Sequence, residues 1–400
     1  MGLVDDAHDI HDELVDFRRD LHRHPEIGLD LPRTQERVLA ALEPLGLEVS
    51  TGERLTSVTA VLRGGRRDAA TPRAVLLRAD MDALPVQELT GVDYSSQIDG
   101  VMHACGHDLH TAMLVGAAKL LHARRDELPG DVVFMFQPGE EGFHGGEIMV
   151  EEGVLDAAGP RVEAAYGMHV FAANDPGGVF ITKPGPMLAA VDEAVITVHG
   201  RGGHGSAPVH ALDPVPIAAE IILATNVALT RQFSVFDPVV VTFGVMRAGT
   251  KSNIIPDDAR LEATMRSFSD EHRARLREVI ERVATGVAQA HGATAEVLID
   301  VGYPVTVNED GETEFAASVA RELFGDDRHV RWVDPLSGAE DFSYVLEQVP
   351  GSFVGLSAVP PGVDPATADT NHSPRATFDD SVLADGAALY AGLALSRLTR

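Results

Sequence analysis

Several things are scarce in this chain. Of its 400 residues one is cysteine, one is tryptophan and 5% are aromatic. Only three are lysine (Lys119, Lys183 and Lys251), so arginine carries nearly all the positive charge. A single thiol rules out an internal disulfide and fits a reducing compartment, the cytoplasm. No run of about 18 apolar residues occurs, which argues against a membrane-spanning helix. The first residues, Met1-Gly2-Leu3-Val4-Asp5-Asp6, are acidic where a secretory leader would be basic. Positive charge is short overall: 32 Lys and Arg stand against 61 Asp and Glu, a formal net charge of −29. So acidic a chain repels nucleic acid and anionic membranes, and a small molecule is the better expected partner.

What is present is an ordinary globular composition, 44% hydrophobic and 23% charged. A length of 400 residues exceeds a typical single core, so two domains are expected. Ile10, Leu14, Phe17 and Leu21 recur at helical spacing. Ala74–Leu77, Val132–Phe136 and a third run near Val162–Tyr166 read as strands buried on both faces. Each run leads into residues able to do chemistry: Asp80-Met81-Asp82, Gly139-Glu140-Glu141-Gly142 and Met168-His169. In an open α/β sheet that C-terminal edge is where ligands bind. Thr111–Leu121 reads as a helix, with Cys105 and His107 in the loop before it.

From about Asp192 to Val305 the pattern becomes β-α-β-β-α-β, the ferredoxin-like order. The expected architecture is therefore an α/β catalytic domain with a mixed, mostly parallel sheet flanked by helices, interrupted by a smaller α+β lid. The expected boundaries are 1–190 and 306–400 for the catalytic domain and 191–305 for the lid.

The lone cysteine lies in His103-Ala104-Cys105-Gly106-His107-Asp108-Leu109-His110. A free cysteine is often just a small buried hydrophobe. Beside a histidine in a polar glycine-containing loop, it points instead to a transition metal, whose natural ligands are thiolate and imidazole. His103 and His110 fit a role in fixing an imidazole or carboxylate at least as well as direct ligation. Glu140-Glu141 could be a solvated turn. After a buried strand, however, two adjacent carboxylates suit a division of labour, one coordinating and one accepting a proton from the attacking water. His169 and His372 are ambiguous singly and gain weight by completing the donor set. His204 occupies a glycine-flanked stretch that could be a mobile turn, and Arg266 suits a surface ion pair as well as a substrate carboxylate.

Taken together, these motifs resemble the M20 metallopeptidase clan in its amidohydrolase branch, which includes hippurate hydrolases, N-acyl-L-amino acid amidohydrolases and auxin-conjugate hydrolases. The likeness runs from Phe17-Arg18-Arg19-Asp20-Leu21-His22 to the C-terminus. It is carried by Arg78–Pro85, His103–Asp108, Gln137–Gly142, Gly167–His169, Gly249–Pro256, Glu340–Ser343 and Asn371–Pro374. The resemblance implies two divalent ions (Zn, Mn, Co or Ni) held by Cys105, His107, Glu141, His169 and His372, with Cys105 bridging. It implies Glu140 as general base, and Asp80, Asp82 and His110 as residues that orient the ligands. His204 would reach a substrate carbonyl, often in a partner subunit, while Asn253 and Arg266 would bind substrate carboxylate or oxyanion. The implied reaction is hydrolysis of N-acyl amino acids by a homodimer or higher oligomer formed through the lid. A dipeptidase, an aminopeptidase or an N-acetyl-diaminopimelate deacetylase is the alternative. Val209, Arg247 and Ser337-Gly338-Ala339 depart from the family's usual residues, and they bear on substrate preference.

Overall fold

The computed structural model describes residues 2–400 and divides into two compact units. The first runs to Met187 and resumes over Val307–Asp334 and Asp341–Arg400; the second comprises Leu188–Thr306 and Pro335–Glu340.

An eight-stranded sheet forms the frame of the first unit. In spatial order its strands are Glu48–Thr51, Val58–Leu62, Asp131–Gln137, Ala74–Asp80, Ala164–Phe171, Gly351–Ser357, Phe180–Thr182 and His329–Arg331. The four from Asp131–Gln137 to Gly351–Ser357 are mutually parallel, while Val58–Leu62 pairs antiparallel with both Asp131–Gln137 and Glu48–Thr51. This is the mixed, mostly parallel α/β sheet expected from the apolar runs. Those runs exist because Ala74–Asp80, Asp131–Gln137 and Gly351–Ser357 are buried along their whole lengths, leaving neither face for water. The helix His107–Ala123 packs beside the C-terminal helix Val382–Thr399, and both are almost wholly buried.

Two local readings need correction. The metal-loop helix begins at His107 and not at Thr111, because Gly106 takes a left-handed φ of 87° and turns the chain straight into it. A Cβ at Gly106 would also come within 2.3 Å of Val170 Cγ2, so the loop approaches the neighbouring strand as only glycine allows. His169 lies inside the strand Ala164–Phe171, since parallel pairing with Gly351–Ser357 carries that strand beyond its apolar run.

The second unit is an antiparallel sheet in the order Val240–Ala248, Asp258–Ser267, Ala190–His199, Thr294–Val301. Helices Pro214–Gln232 and Asp270–Ala290 cover one face around Ile196, Ile217, Ile221, Leu261, Leu276 and Ile280. The strand Ala190–His199 alternates buried and more exposed positions, as a sheet with one covered face requires. Asp213 caps the first helix through the Val215 amide at 3.0 Å with Pro214 behind it, and Ser269 caps the second. Pro335–Glu340 lies outside the expected 191–305 span. It joins this unit through the Ala189 amide, which donates to the carbonyls of Leu336 and Gly338. Among the described residues no helix is long and apolar enough to cross a membrane.

Candidate metal centre

The parallel strands of the first unit deliver their C-terminal ends to one edge, and the proposed donors gather there. Cys105 Sγ stands 3.3 Å from His169 Nε2. His372 Nε2 is 3.2 Å from Glu141 Oε1, and His107 Nε2 is 3.9 Å from that same oxygen. Five groups of possible ligand atoms lie within 4.8 Å of one another, Asp80–His107–His110 and Glu140–Glu340–Asp341 among them, and three gather the proposed donors: Cys105–His107–His169, Cys105–Glu141–His372 and His107–Glu140–Glu141. Cys105 is common to the first two.

Local backbone explains how adjacent acids come to share a site. Gly139 and Gly142 take φ of 74° and 89°, giving the sharp turn that follows Gln137. Asp82 then fastens that turn, its two oxygens accepting from the Glu140 and Glu141 amides at 3.0 Å each. Glu140 is only 7% exposed. His372 has a left-handed φ of 71°, unusual for a histidine, and its amide donates to the Ala104 carbonyl at 2.8 Å. The strained residue is thereby tied to the thiol's own loop.

The neighbours set which nitrogens remain available. His169 Nδ1 donates to the Val170 carbonyl at 2.8 Å, leaving Nε2 facing the thiol. His110 Nε2 accepts from the Val170 amide at 2.8 Å, so its Nδ1 carries the proton that Asp80 receives at 2.5 Å. Both His110 nitrogens are thus engaged, which suits an orienting role. Asp80 is gripped from its other side by Arg78 at 2.6 Å, and Arg78 also meets Gln137 and Asp341. His107 stands among these acids, Nδ1 at 3.5 Å from Asp82 and Nε2 at 3.7 Å from Asp80. His103 is buried with neither ring nitrogen hydrogen-bonded, and it joins none of the three donor groups.

Charge states follow from these surroundings. Burial, with His110 and His107 nearby, holds His169 well below the usual imidazole range, so it stays neutral. Burial likewise pushes His103 down to about 3. Burial would also lower His107, but Asp80 and its other partners outweigh it and hold the ring well above its usual range. Hydrogen bonding to Cys105 and Glu141 raises His372 to about 10. Both ring nitrogens of His107 are buried and reach their nearest carboxylates only at 3.5 and 3.7 Å. Such atoms are costly unless something else satisfies them. A divalent cation would do so, and thiolate, imidazole and carboxylate together make a transition-metal donor set.

The second unit holds the other predicted residues. His204 pairs with Ile254 in a short antiparallel ladder, and the Gly205 amide donates to the Asn253 carbonyl at 2.9 Å, so His204 and Asn253 are neighbours. Both are exposed, with Ser206 Oγ 2.8 Å from His204 Nδ1. Arg266 is half-buried on the strand Asp258–Ser267, and burial lowers its pKa.

Residues 76–396 match the family described as Peptidase family M20/M25/M40. The chain belongs to this family. It is 37% identical over 397 residues to thermostable carboxypeptidase 2 of Saccharolobus solfataricus, covering 98% of this chain and 97% of that protein. It is 38% identical over 386 residues to the N-acetylcysteine deacetylase of Bacillus subtilis, covering 96% and 97%. A crystal structure described as a dinuclear metal binding peptidase from the M20 family, also from Bacillus subtilis, superposes with a TM-score of 0.83. It is 35% identical and covers 98% of this chain and 99% of that one. This M20 chain is accordingly a metal-dependent hydrolase of amide bonds.

Sequence reasoning gave Asn371 no role of its own. Its side-chain nitrogen donates to the carbonyls of Cys105 at 3.1 Å and Val170 at 2.9 Å, and its oxygen accepts from the Ala172 amide. One side chain therefore joins the loops of Cys105, His169 and His372. Its place immediately before a candidate ligand histidine was the available signal.

Proposed function

We propose that this enzyme hydrolyses the amide of N-acyl amino acids, releasing a carboxylic acid and a free amino acid. The observation that carries the two-ion part of the reading is the position of Cys105, shared by two donor groups. Cys105, His107, Glu141, His169 and His372 would hold two divalent ions, Cys105 between them. Bound there, the ions would polarise the scissile carbonyl and bring the pKa of water towards about 7. Thiolate softness favours Zn or Co, while the carboxylate and imidazoles leave room for Mn or Ni.

Glu140 acts as the general base: it takes the proton of the attacking water and returns it to the departing amine. Asp82 supports this by fixing the amides of both glutamates, so that Glu140 serves proton transfer while Glu141 faces His107 and His372. Asp80 and His110 keep the neighbouring donors in orientation. His204 supplies a hydrogen-bond donor for the developing oxyanion, and Asn253 and Arg266 recognise the substrate's carboxylate. A single cysteine without a disulfide suits a reducing, cytoplasmic setting.

A homodimer through the second unit is part of this reading. The strand Val240–Ala248 is an edge of its sheet, and Leu223 and Val227 on helix Pro214–Gln232 are 66% and 62% exposed. A second reading, peptide hydrolysis from a free C-terminus, is favoured by the likeness to the Saccharolobus carboxypeptidase. Both readings place an amino acid with a free carboxylate on the leaving side. A metal-reconstituted screen of N-acetyl, N-benzoyl and indole-acetyl amino acids and N-acetyl-diaminopimelate, with matched dipeptides, separates them. Turnover confined to dipeptides would overturn the first reading.

A further inference from the structure

Arg18 is one of the largest fully buried side chains, 1% exposed, and the chemistry proposed above does not use it. It lies on helix His11–Arg23, 89 positions before His107. Its guanidinium reaches two places at once. Nε is 2.6 Å from Asp108 Oδ2, and a terminal nitrogen donates to Asp380 Oδ1 at 3.0 Å. Asp108 directly follows His107 in the first turn of its helix, where an acid also suits the helix dipole. Asp380 lies on the segment that begins with Asn371 and His372, and Arg19 holds its second oxygen at 2.9 Å. One side chain thus bridges the two loops that carry Cys105 and His107 on one side and His372 on the other.

The surroundings stiffen that bridge. His22, one turn along the same helix, places Nδ1 2.8 Å from Asp108 Oδ2 and Nε2 3.4 Å from Glu88 Oε1. Glu88 holds its own loop by accepting from the Ser96 amide and from Thr90. The Tyr94 ring from that loop lies against Arg18 and Arg19 at 4.8 and 4.5 Å. Beside it, the Leu89 amide donates to the Pro374 carbonyl at 2.7 Å. A buried ion pair is poor evidence for stability, because well-packed apolar groups often do as well. A charge network that joins these particular loops has a different use, since partners behind metal ligands typically govern affinity by 10- to 100-fold.

We infer that Arg18 is a positioning residue for the metal centre: by binding Asp108 and Asp380 together it sets the separation of the two ligand-bearing loops. This rests on the metal-site reading given above. The test uses the full-length metal-free protein, measuring its Zn²⁺ dissociation constant by chelator competition and its Co²⁺ absorption spectrum. Thermal unfolding of the metal-free form is followed in parallel. Lysine keeps the charge of Arg18 but cannot make both contacts, so Arg18→Lys is expected to weaken Zn²⁺ binding about 10- to 100-fold and to alter the thiolate-to-Co²⁺ band. Asp380→Asn leaves the Arg18–Asp108 contact intact and is expected to weaken binding about tenfold. Arg397→Gln, which disrupts a separate ion pair with Glu312, is the control for lost stability and should leave Zn²⁺ affinity unchanged. Folded Arg18→Lys and Asp380→Asn proteins that bind Zn²⁺ like wild type would overturn the inference while leaving the function intact. So would an equal loss of affinity in Arg397→Gln. A wild-type protein that binds no divalent ion would overturn the metal-site reading itself, and this inference with it.

Discussion

In the first unit most side chains of the candidate site have been taken out of water: Asp80, His107 and His110 are fully buried and Cys105 is 7% exposed, with His372 the exposed exception. In the second unit His204 and Asn253 are exposed and Arg266 only half-buried. Burial makes the first set costly on its own, and the buried ring nitrogens of His107, without a short hydrogen bond, mark where a cation would offset that cost. The exposed set carries no such penalty and fits residues that act only when substrate is present. On the proposed function, one region would hold permanent ligands and the other transient ones. If so, substitutions in the first should change metal content or proton transfer, and substitutions in the second should change turnover alone.

The largest expected effect is at the adjacent glutamates. Glu140→Ala should lower kcat by about 10²- to 10⁴-fold, the range for a general base, with metal content by elemental analysis nearly intact. Cys105→Ala should lose metal. If Glu140→Ala strips the ions and Glu141→Ala does not, the roles of the pair are reversed.

Next comes His204. Its alanine variant should lose roughly 10²- to 10³-fold in kcat, as for removal of one oxyanion donor, with metal content and melting temperature unchanged. If His204 acts in a partner's site, mixing this variant with Glu140→Ala should restore part of the activity. Verified heterodimers without any recovery would contradict that placement. A loss of metal in His204→Ala would break the contrast between the two units.

Asn371→Ala tests the first unit by a smaller change. It leaves the Cys105 carbonyl without its side-chain donor and the Val170 carbonyl with only His169 Nδ1, at a cost of about 1–3 kcal/mol. Urea unfolding should show that loss together with weaker metal binding, and unchanged metal affinity would confine Asn371 to a purely structural part.

The smallest effect is a pH dependence. Burial alone would raise the Glu88 carboxyl, but His22, Thr90 and the Ser96 amide bring it down to about 2. A carboxyl depressed in the folded state adds stability above its unfolded pKa, near 4.5, and loses it as pH falls towards 2. Glu88→Gln should therefore be less stable than wild type at pH 6, with the gap narrowing below pH 4.5. A constant gap across that range would contradict this.

Much of this contrast can be read in the sequence, and for physical reasons. Strands buried on both faces must be apolar throughout, so Ala74–Asp80 and Asp131–Gln137 stand out, and the residues that follow them mark the ligand edge. The two-helix sheet of the second unit shows equally well, because its alternation and caps are local. Long-range pairings leave no such trace. Nothing near Arg18 announces Asp108 or Asp380, since the partners are 90 and 362 positions away. The strand through Gly167-Met168-His169 owes its length to pairing with Gly351–Ser357, and Pro335–Glu340 joins the second unit through backbone bonds that any side chain would permit.

The central claim is that the Cys105 loop holds metal and that amide hydrolysis depends on it. Metal content and hydrolysis of an N-acyl amino acid panel, measured on the same purified protein before chelation, after it, and after restoring divalent ions, test this most directly. The account predicts two ions per chain, loss of both metal and turnover on chelation, and recovery of both together in wild type but not in Cys105→Ala. Hydrolysis that persists undiminished in fully metal-free protein would contradict it.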